Sequence, residues 1–217
     1  MILSRGRRYL FLHAPKTGGT ALTLALEARA LRDDIIVADT PKGRARAGRQ
    51  RALKVAGRLW KHSRLCDLDG LVGTEEMADL FILTLVRNPW DRLASYYHWL
   101  RAQKFGHPAV SLANSSDFSG FLNDPQTVAA FRTAPAAAHT RDADGRDRAT
   151  LCARLEHLAD DLAPFEAHLG FRLTPLARAN ESRRPRDWRG LYSDRDAALV
   201  ARVCAEDIAR FGYRFDP

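Results

Sequence analysis

Short runs of consecutive apolar residues predict the strands of a buried β-sheet. Residues 9–13 and residues 80–86 are almost wholly apolar, and residues 35–37 form a shorter run of the same kind. A run of this length without alternation is typical of a strand that is covered on both faces in a parallel sheet. We therefore predict a strand at each of these three places.

Helix-forming segments follow the predicted strands. Residues 21–31 contain no Gly or Pro, Asp91 is a candidate N-cap for a helix that ends near residue 105, and the leucine spacing predicts a helix over residues 151–170. We predict that a last helix begins at Ser193. Strands that alternate with helices favour an α/β fold with a central, mostly parallel sheet flanked by helices.

Length and composition predict one folded domain over residues 1–217. The chain is 46% hydrophobic and 28% charged, which excludes collagen-like and disordered classes. Its three cysteines are far apart and lack paired spacing, so the sequence predicts neither a disulfide framework nor a zinc site. No apolar run approaches the roughly 20 residues of a membrane span, and we expect a cytoplasmic protein.

The net charge of +8 comes from one segment of the chain. Residues 41–64 hold nine basic residues and no acid, whereas the remainder has 25 bases and 26 acids. A local excess of this kind indicates an anionic partner at one place rather than nucleic acid along the whole surface. We call residues 41–64 the basic segment.

A lysine and two glycines lie between the first predicted strand and its helix, and they suggest a phosphate site. The loop residues are Pro15, Lys16, Thr17, Gly18, Gly19 and Thr20. Glycines let the backbone approach a ligand, and the first amides of a helix point at an anion. The order differs from the Walker pattern GxxxxGK[ST], so a magnesium-nucleotide site is not the direct interpretation. A tight turn with an incidental lysine stays open as the alternative.

A second candidate site follows the strand predicted at residues 80–86. Arg87 leaves the carboxyl end of that strand, and Ser95 lies on the helix that follows. A guanidinium and a hydroxyl at this edge of an α/β sheet are suited to bind one phosphate. The alternative is that Arg87 pairs with an acid while Ser95 caps or packs.

These residues resemble the sulfotransferases that use 3′-phosphoadenosine 5′-phosphosulfate (PAPS), in particular the carbohydrate-directed branch. Residues 13–20 resemble the 5′-phosphosulfate loop of that family, and residues 86–97 resemble its 3′-phosphate motif. Residues 154–158, 180–182 and 207–213 resemble its weaker downstream landmarks in the same order. The resemblance implies a single P-loop-like, three-layer domain that transfers a sulfuryl group from PAPS to a hydroxyl of a carbohydrate or glycoconjugate.

The resemblance also implies a role for each motif. Lys16 would reach the sulfuryl group and the leaving phosphate, and the backbone of residues 17–20 would hold the 5′-phosphate. Arg87 and Ser95 would hold the 3′-phosphate of the donor and of the product, adenosine 3′,5′-bisphosphate. No metal ion and no nucleic acid partner are expected.

The acceptor hydroxyl needs a base, and histidine is the commonest choice near neutral pH. His62 resembles the family position that contributes a catalytic or acceptor-site histidine, so we predict it as the base. His98, Glu27 and Glu75 remain alternatives, and a surface histidine in a basic loop is the structural alternative for His62.

The acceptor side is less defined by the sequence. The basic segment either attracts an anionic acceptor such as an acidic glycan or forms a solvated loop. Tryptophan rings suit sugar stacking, but we expect Trp90 and Trp99 to pack in the core. Two other functions stay open: a nucleotide-dependent kinase that uses the Lys16 loop, and a non-catalytic domain that binds polyanions through the basic segment.

Overall fold

The computed structural model describes residues 1–177, 179 and 187–216, and the chain forms two compact units. The first unit comprises Met1–Val86 and Ala136–Ala179, and the second comprises Arg87–Pro135 and Asn180–Pro217. The single domain inferred from the sequence stays a prediction. The landmark predicted at residues 180–182 lies outside the described residues.

All five described strands belong to the first unit and form one sheet. The strands are β1 (Ile2–Ser4), β2 (Tyr9–Leu12), β3 (Ile35–Ile36), β4 (Phe81–Val86) and β5 (Leu151–Arg154). Their order in the sheet is β3-β1-β2-β4-β5. β1 is antiparallel to both β2 and β3, whereas β4 is parallel to both β2 and β5.

The sheet is therefore mixed, and the mostly parallel sheet that we predicted is not confirmed. The reason is β1, which the hydrophobic pattern did not reveal. It joins β2 through a tight turn in which the amide of Arg8 donates to the carbonyl of Arg5, and only antiparallel neighbours can be joined by so short a connection. The α/β class itself is confirmed.

Thirteen α-helices lie in the described part of the chain, most of them short. They are α1 (Gly19–Ala28), α2 (Pro41–Ala45), α3 (Ala47–Gln50), α4 (Thr74–Asp79), α5 (Pro89–Arg101), α6 (Pro108–Ser115), α7 (Phe118–Asn123), α8 (Pro125–Arg132), α9 (Ala137–Thr140), α10 (Leu158–Asp161), α11 (Ala163–Leu169), α12 (Asp194–Val203) and α13 (Ala205–Phe211). Three 3₁₀ turns accompany them, at Cys66–Leu68, Leu155–His157 and Arg189–Leu191. Within these described residues, no helix combines the length and the apolar character that crossing a membrane requires.

The sheet of the first unit is covered on both faces because alternate side chains point to opposite sides. One core cluster joins Tyr9 and Phe11 of β2 to Leu22 of α1 and Phe165 of α11. The other joins Leu10 and Leu12 of the same strand to Leu65, which follows the basic segment, and to Met77 of α4. Burial on both faces explains why β2 and β4 are continuous apolar runs.

The second unit is helical in the described residues and has its own core. Trp90, Leu93 and Tyr97 of α5 pack with Phe121 of α7 and Val200 of α12. The predicted start at Ser193 is confirmed, because its hydroxyl accepts a hydrogen bond from the amide of Asp196 as an N-cap. The helix predicted from Asp91 begins instead at Pro89, since the Asn88 side chain accepts from the Trp90 amide.

The helix predicted over residues 151–170 is wrong in its first part. Residues 151–154 form β5, whose Leu151 pairs with Leu83 and whose Arg154 pairs with Val86 of β4. The leucines that suggested one helix are distributed over β5, the 3₁₀ turn Leu155–His157 and the short helices α10 and α11. Backbone pairing with β4 overrides the local helical pattern, as tertiary context often does.

Candidate functional site

The carboxyl ends of three parallel strands meet at one edge of the sheet. Leu12 of β2 pairs with Thr84 of β4, and Val86 of β4 pairs with Arg154 of β5. The Thr84 hydroxyl also donates to the carbonyl oxygen of Leu12 at 2.9 Å. Ligands of α/β sheets bind outside this edge. The loop that begins at His13 starts there, and the chain continues from Val86 directly into Arg87.

The loop between β2 and α1 is held in an uncommon backbone conformation. Lys16 has φ 66°, which lies in the left-handed region that residues other than glycine rarely adopt. The Thr17 hydroxyl donates to the carbonyl oxygen of Ala14 at 2.8 Å and is almost fully buried, so it closes the loop from inside. Strained residues of this kind concentrate where a ligand is bound.

Two glycines allow the loop to enter α1. Gly18 has φ 82° and is the N-cap of α1, where it supplies no side-chain oxygen to the first-turn amides. A Cβ at Gly18 would lie 2.6 Å from Leu155 Cδ1, and one at Gly19 would lie 2.2 Å from His13 Cδ2. The two glycines therefore let Leu155 and His13 pack against the loop. The amino end of α1 has no acid in its first turn, and its helix dipole suits an anion.

His13 supports the loop rather than acting in it. Its ring is buried, stacks on Phe11 with centroids 5.9 Å apart, and occupies the space beside Gly19. Burial lowers the pKa of His13 well below its usual value, and the nearby His62 lowers it further. The ring is therefore neutral at pH 7.

His62 lies against the same loop in a defined tautomer. Its Nδ1 is 2.6 Å from the carbonyl oxygen of His13. A carbonyl oxygen only accepts, so Nδ1 carries the proton and Nε2 holds the lone pair. Burial lowers the pKa of His62 to about 4, although the hydrogen bond to His13 opposes this shift. The side chain predicted as the base is thus a neutral imidazole whose Nε2 can accept a proton.

An aromatic and cationic group continues from His62. The Trp60 ring meets His62 edge-on with centroids 5.0 Å apart, and the Arg58 guanidinium lies 4.6 Å from the centre of the Trp60 ring. Trp60 is thus a tryptophan whose ring lies beside the predicted base. The link follows from the fold, since the Ser63 hydroxyl accepts from the Trp60 amide and donates to its carbonyl, closing the turn.

Several bases of the basic segment contact the protein itself. Arg46 donates to the carbonyls of Asp34 and Leu31 at 2.8 and 2.9 Å, and Arg49 donates to that of Arg32 at 2.8 Å. Lys42 donates to the Glu27 carbonyl, and Lys61 pairs with Asp39 at 2.5 Å. Part of the basic segment is helical, as α2 and α3. These contacts anchor the segment beside the edge strand β3.

Arg87 is paired with an acid, as its alternative interpretation held. Its Nε and Nη2 lie 2.8 and 2.7 Å from Oδ2 of Asp91, and both side chains are largely buried. Asp91 and Ser95 are four residues apart on α5, so they share a face of that helix. Ser95 is 5% exposed. The sequence identified Arg87 and Ser95 but missed Asp91, which the i, i+4 spacing from Arg87 indicates.

The segment that follows β5 also borders the Lys16 loop. Arg154 is held by Asp161, which accepts from its backbone amide at 2.8 Å and from its guanidinium at 2.9 Å. The hydrogen bonds from Arg154 lower the pKa of Asp161. This arrangement seats Leu155 against Gly18. The sequence singled out residues 154–158 only through a resemblance and assigned them no contact.

The alternative bases lie in different surroundings. Glu27 is buried in α1 and accepts a hydrogen bond from the Thr40 hydroxyl at 2.5 Å. Glu75 is exposed in the first turn of α4. His98 belongs to the second unit, on α5, where its ring meets that of Tyr97. His62 is hydrogen-bonded to the His13 carbonyl at the start of the Lys16 loop, which distinguishes it from these alternatives.

Comparison of the chain with protein-family models, with curated proteins and with solved structures finds no match.

Proposed function

We propose that the protein is a sulfotransferase with a P-loop-like fold, which moves a sulfuryl group from PAPS to a hydroxyl of a carbohydrate or glycoconjugate. The observation that carries the proposal is the Lys16 loop. It combines a lysine in a left-handed conformation, a helix terminus capped only by glycine, and a neutral histidine hydrogen-bonded to the start of the loop. A cation, a helix amino terminus and a histidine base at one loop are each suited to the transfer of an anionic group, and this combination supports the proposal.

The loop residues would stabilise the charge that builds on the leaving phosphate. Backbone amides of residues 17–20 would hold the 5′-phosphate at the amino end of α1. Lys16 would place its ammonium between that phosphate and the sulfuryl group. Donors oriented in advance stabilise the transition state more than the ground state, because the charge on the leaving oxygen grows during transfer. This step uses no metal ion.

Arg87 and Ser95 would recognise the 3′-phosphate. A guanidinium suits a phosphate because it presents several donors in one plane. Asp91 binds Nε and Nη2 of Arg87, and this contact orients the guanidinium relative to α5. Asp91 would therefore act as a positioning residue for Arg87.

His62 would receive the proton of the acceptor hydroxyl at Nε2 while the acceptor oxygen forms its bond to sulfur. The sulfur–oxygen bond to the 5′-phosphate breaks in the same in-line step. The His13 carbonyl keeps the proton of His62 on Nδ1, so the ring presents its lone pair on the other nitrogen. A pKa of about 4 makes a weak base, and an anionic donor bound beside the ring would raise it towards the range that favours proton transfer.

The first test is the choice of nucleotide. Adenosine 3′,5′-bisphosphate should raise the melting temperature, because a ligand at a hundred times its Kd stabilises a protein by about 2.7 kcal/mol. ADP with Mg²⁺ should raise it much less. An equal shift with ADP would favour the kinase alternative. No shift with either nucleotide, together with binding of simple polyanions, would favour the non-catalytic alternative.

The second test concerns the 3′-phosphate. Arg87→Ala should remove the preference for adenosine 3′,5′-bisphosphate over adenosine 5′-phosphate. Arg195→Ala, which removes an exposed arginine of the same unit, serves as the matched control. An Arg87→Ala protein that keeps the preference would show that the 3′-phosphate is bound elsewhere.

A further inference from the structure

The second unit leaves two large apolar side chains in solvent. Trp99 on the last turn of α5 is 36% exposed, and Phe105 in the segment before α6 is 49% exposed. Trp99 was predicted to pack in the core as Trp90 does, but only Trp90 is buried. Exposed aromatic side chains that lie together mark a binding surface more often than single ones do.

These two side chains belong to a row of four rings. Tyr96 and Trp99 are nearly parallel, with centroids 6.0 Å apart and planes at 18°. Trp99 and Phe105 are also 6.0 Å apart, and Phe105 and His107 are 6.4 Å apart. We call Tyr96, Trp99, Phe105 and His107 the aromatic row. Its members are neighbours in sequence as well as in space, so the row is a local feature of one unit.

The row carries hydrogen-bond donors. His107 Nδ1 accepts a hydrogen bond from the amide of Ala109 at 3.1 Å, so the proton of the neutral ring is on Nε2, which can act as a donor. Lys104 and Arg101 are exposed in the same segment. The Arg101 guanidinium lies 5.5 Å from the centre of the Tyr97 ring, which fixes it beside α5.

The charge around the row is of one sign. Residues 92–116 contain three basic residues and no aspartate or glutamate. This stretch lies outside the basic segment. Its positive charge does not appear in the count for the remainder of the chain, because acids at other positions offset it. An anionic ligand therefore meets attraction and no repulsion from this part of α5, the loop and α6.

We propose that the aromatic row, with Arg101 and Lys104, binds an acidic sugar chain. Pyranose rings present apolar C–H faces that stack on flat aromatic side chains, while their carboxylate groups pair with the two cations and their hydroxyls accept from His107. The choice of a carbohydrate rests on the proposed function. The contacts themselves rest on the exposure, the ring geometry and the charge of the second unit. Binding at this surface would raise the affinity of the protein for acidic acceptors over neutral ones.

Calorimetric titration without any nucleotide tests the surface. The probe is a hexasaccharide of alternating uronate and hexosamine units, with a neutral hexasaccharide of similar length beside it. We expect binding of the acidic sugar that weakens with salt, and much weaker binding of the neutral one. Phe105→Ala should lower the affinity for the acidic sugar about tenfold. Phe105→Trp keeps a flat ring and should bind the sugar as tightly as the unchanged protein does.

Further variants separate stacking from charge. Lys104→Ala should weaken binding and reduce its salt dependence, whereas Arg195→Ala, a matched loss of exposed charge in the same unit, should change neither. Leu24→Ala controls for loss of an exposed apolar side chain and should also bind normally. Trp99→Phe is preferable to Trp99→Ala, because Tyr96 packs on this ring.

Three results would overturn the inference. The first is an unchanged affinity of Phe105→Ala for the acidic sugar. The second is equal binding of polyphosphate or of a single-stranded oligonucleotide of the same charge, with the same sensitivity to Phe105→Ala. The third is binding to anionic phospholipid vesicles in preference to the sugar. Failure of adenosine 3′,5′-bisphosphate to bind would refute the proposed donor and leave this titration unaffected, so the two proposals fail separately.

Discussion

Stability between pH 7 and pH 4 should depend on His62 more than on an exposed histidine. The pKa of His62 is about 4 in the folded protein, because of burial, against 6.5 for a histidine in water. The unfolded chain therefore binds the proton more tightly than the folded protein does. As a result, the free energy of unfolding decreases as the pH falls from 6.5 towards 4. At about 1.36 kcal/mol per pH unit the full effect is about 3 kcal/mol, and about 2 kcal/mol is lost between pH 7 and pH 5.

The variant that isolates this effect is His62→Asn. Its side-chain amide can donate to the His13 carbonyl as Nδ1 does, but it does not titrate. His13 shifts in the same direction as His62 and remains in both proteins, so its contribution largely cancels in the comparison. His157→Asn, at an exposed position of the same unit, is the matched control.

The measurement is urea denaturation at a series of pH values. The free energy of unfolding of the unchanged protein should fall by about 2 kcal/mol more than that of His62→Asn between pH 7 and pH 5. The same series for His157→Asn measures the effect of removing an exposed histidine. Parallel curves for His62→Asn and the unchanged protein would refute the burial that lowers the pKa of His62.

Two further predictions concern other parts of the chain. Gly19→Ala should destabilise the protein by about 1–3 kcal/mol and abolish bisphosphate binding, because the added Cβ would meet the His13 ring. Gly48→Ala is the control, because a Cβ there has open space. Equal stability of the two variants in thermal denaturation would contradict the close packing at Gly19. Burial raises the pKa of the Cys204 thiol to about 12. In the native protein a thiol reagent should therefore label Cys66, which is only partly buried, well before Cys204. Equal labelling rates would contradict the burial of Cys204 at the end of α12.

Local chemistry explains the elements that the sequence predicted well. β2 and β4 were recognisable because strands covered on both faces need apolar residues at every position. The start of α12 was recognisable at Ser193, because an N-cap must accept a backbone amide. The end of α11 at Gly170 was recognisable for a similar reason, since its φ of 74° favours glycine.

Elements defined by distant partners were missed or misassigned. β1 is a strand because it pairs with β2 and β3, and nothing in its own three residues requires this. β5 carries a leucine pattern that local rules assign to a helix, yet it pairs with β4. Trp90 and Trp99 lie on one helix with similar neighbours, and only the packing of the other helices decides that the first is buried and the second exposed.

The candidate site divides in the same way. The sequence by itself indicated the loop with Lys16 and its two glycines, because a left-handed N-cap and a position packed against the His13 ring both favour glycine. Only the tertiary structure decided that His62 is neutral and that its proton is on Nδ1. Those properties depend on burial and on hydrogen bonds that the fold brings together, and His62 and His13 are separated by 49 positions in the chain.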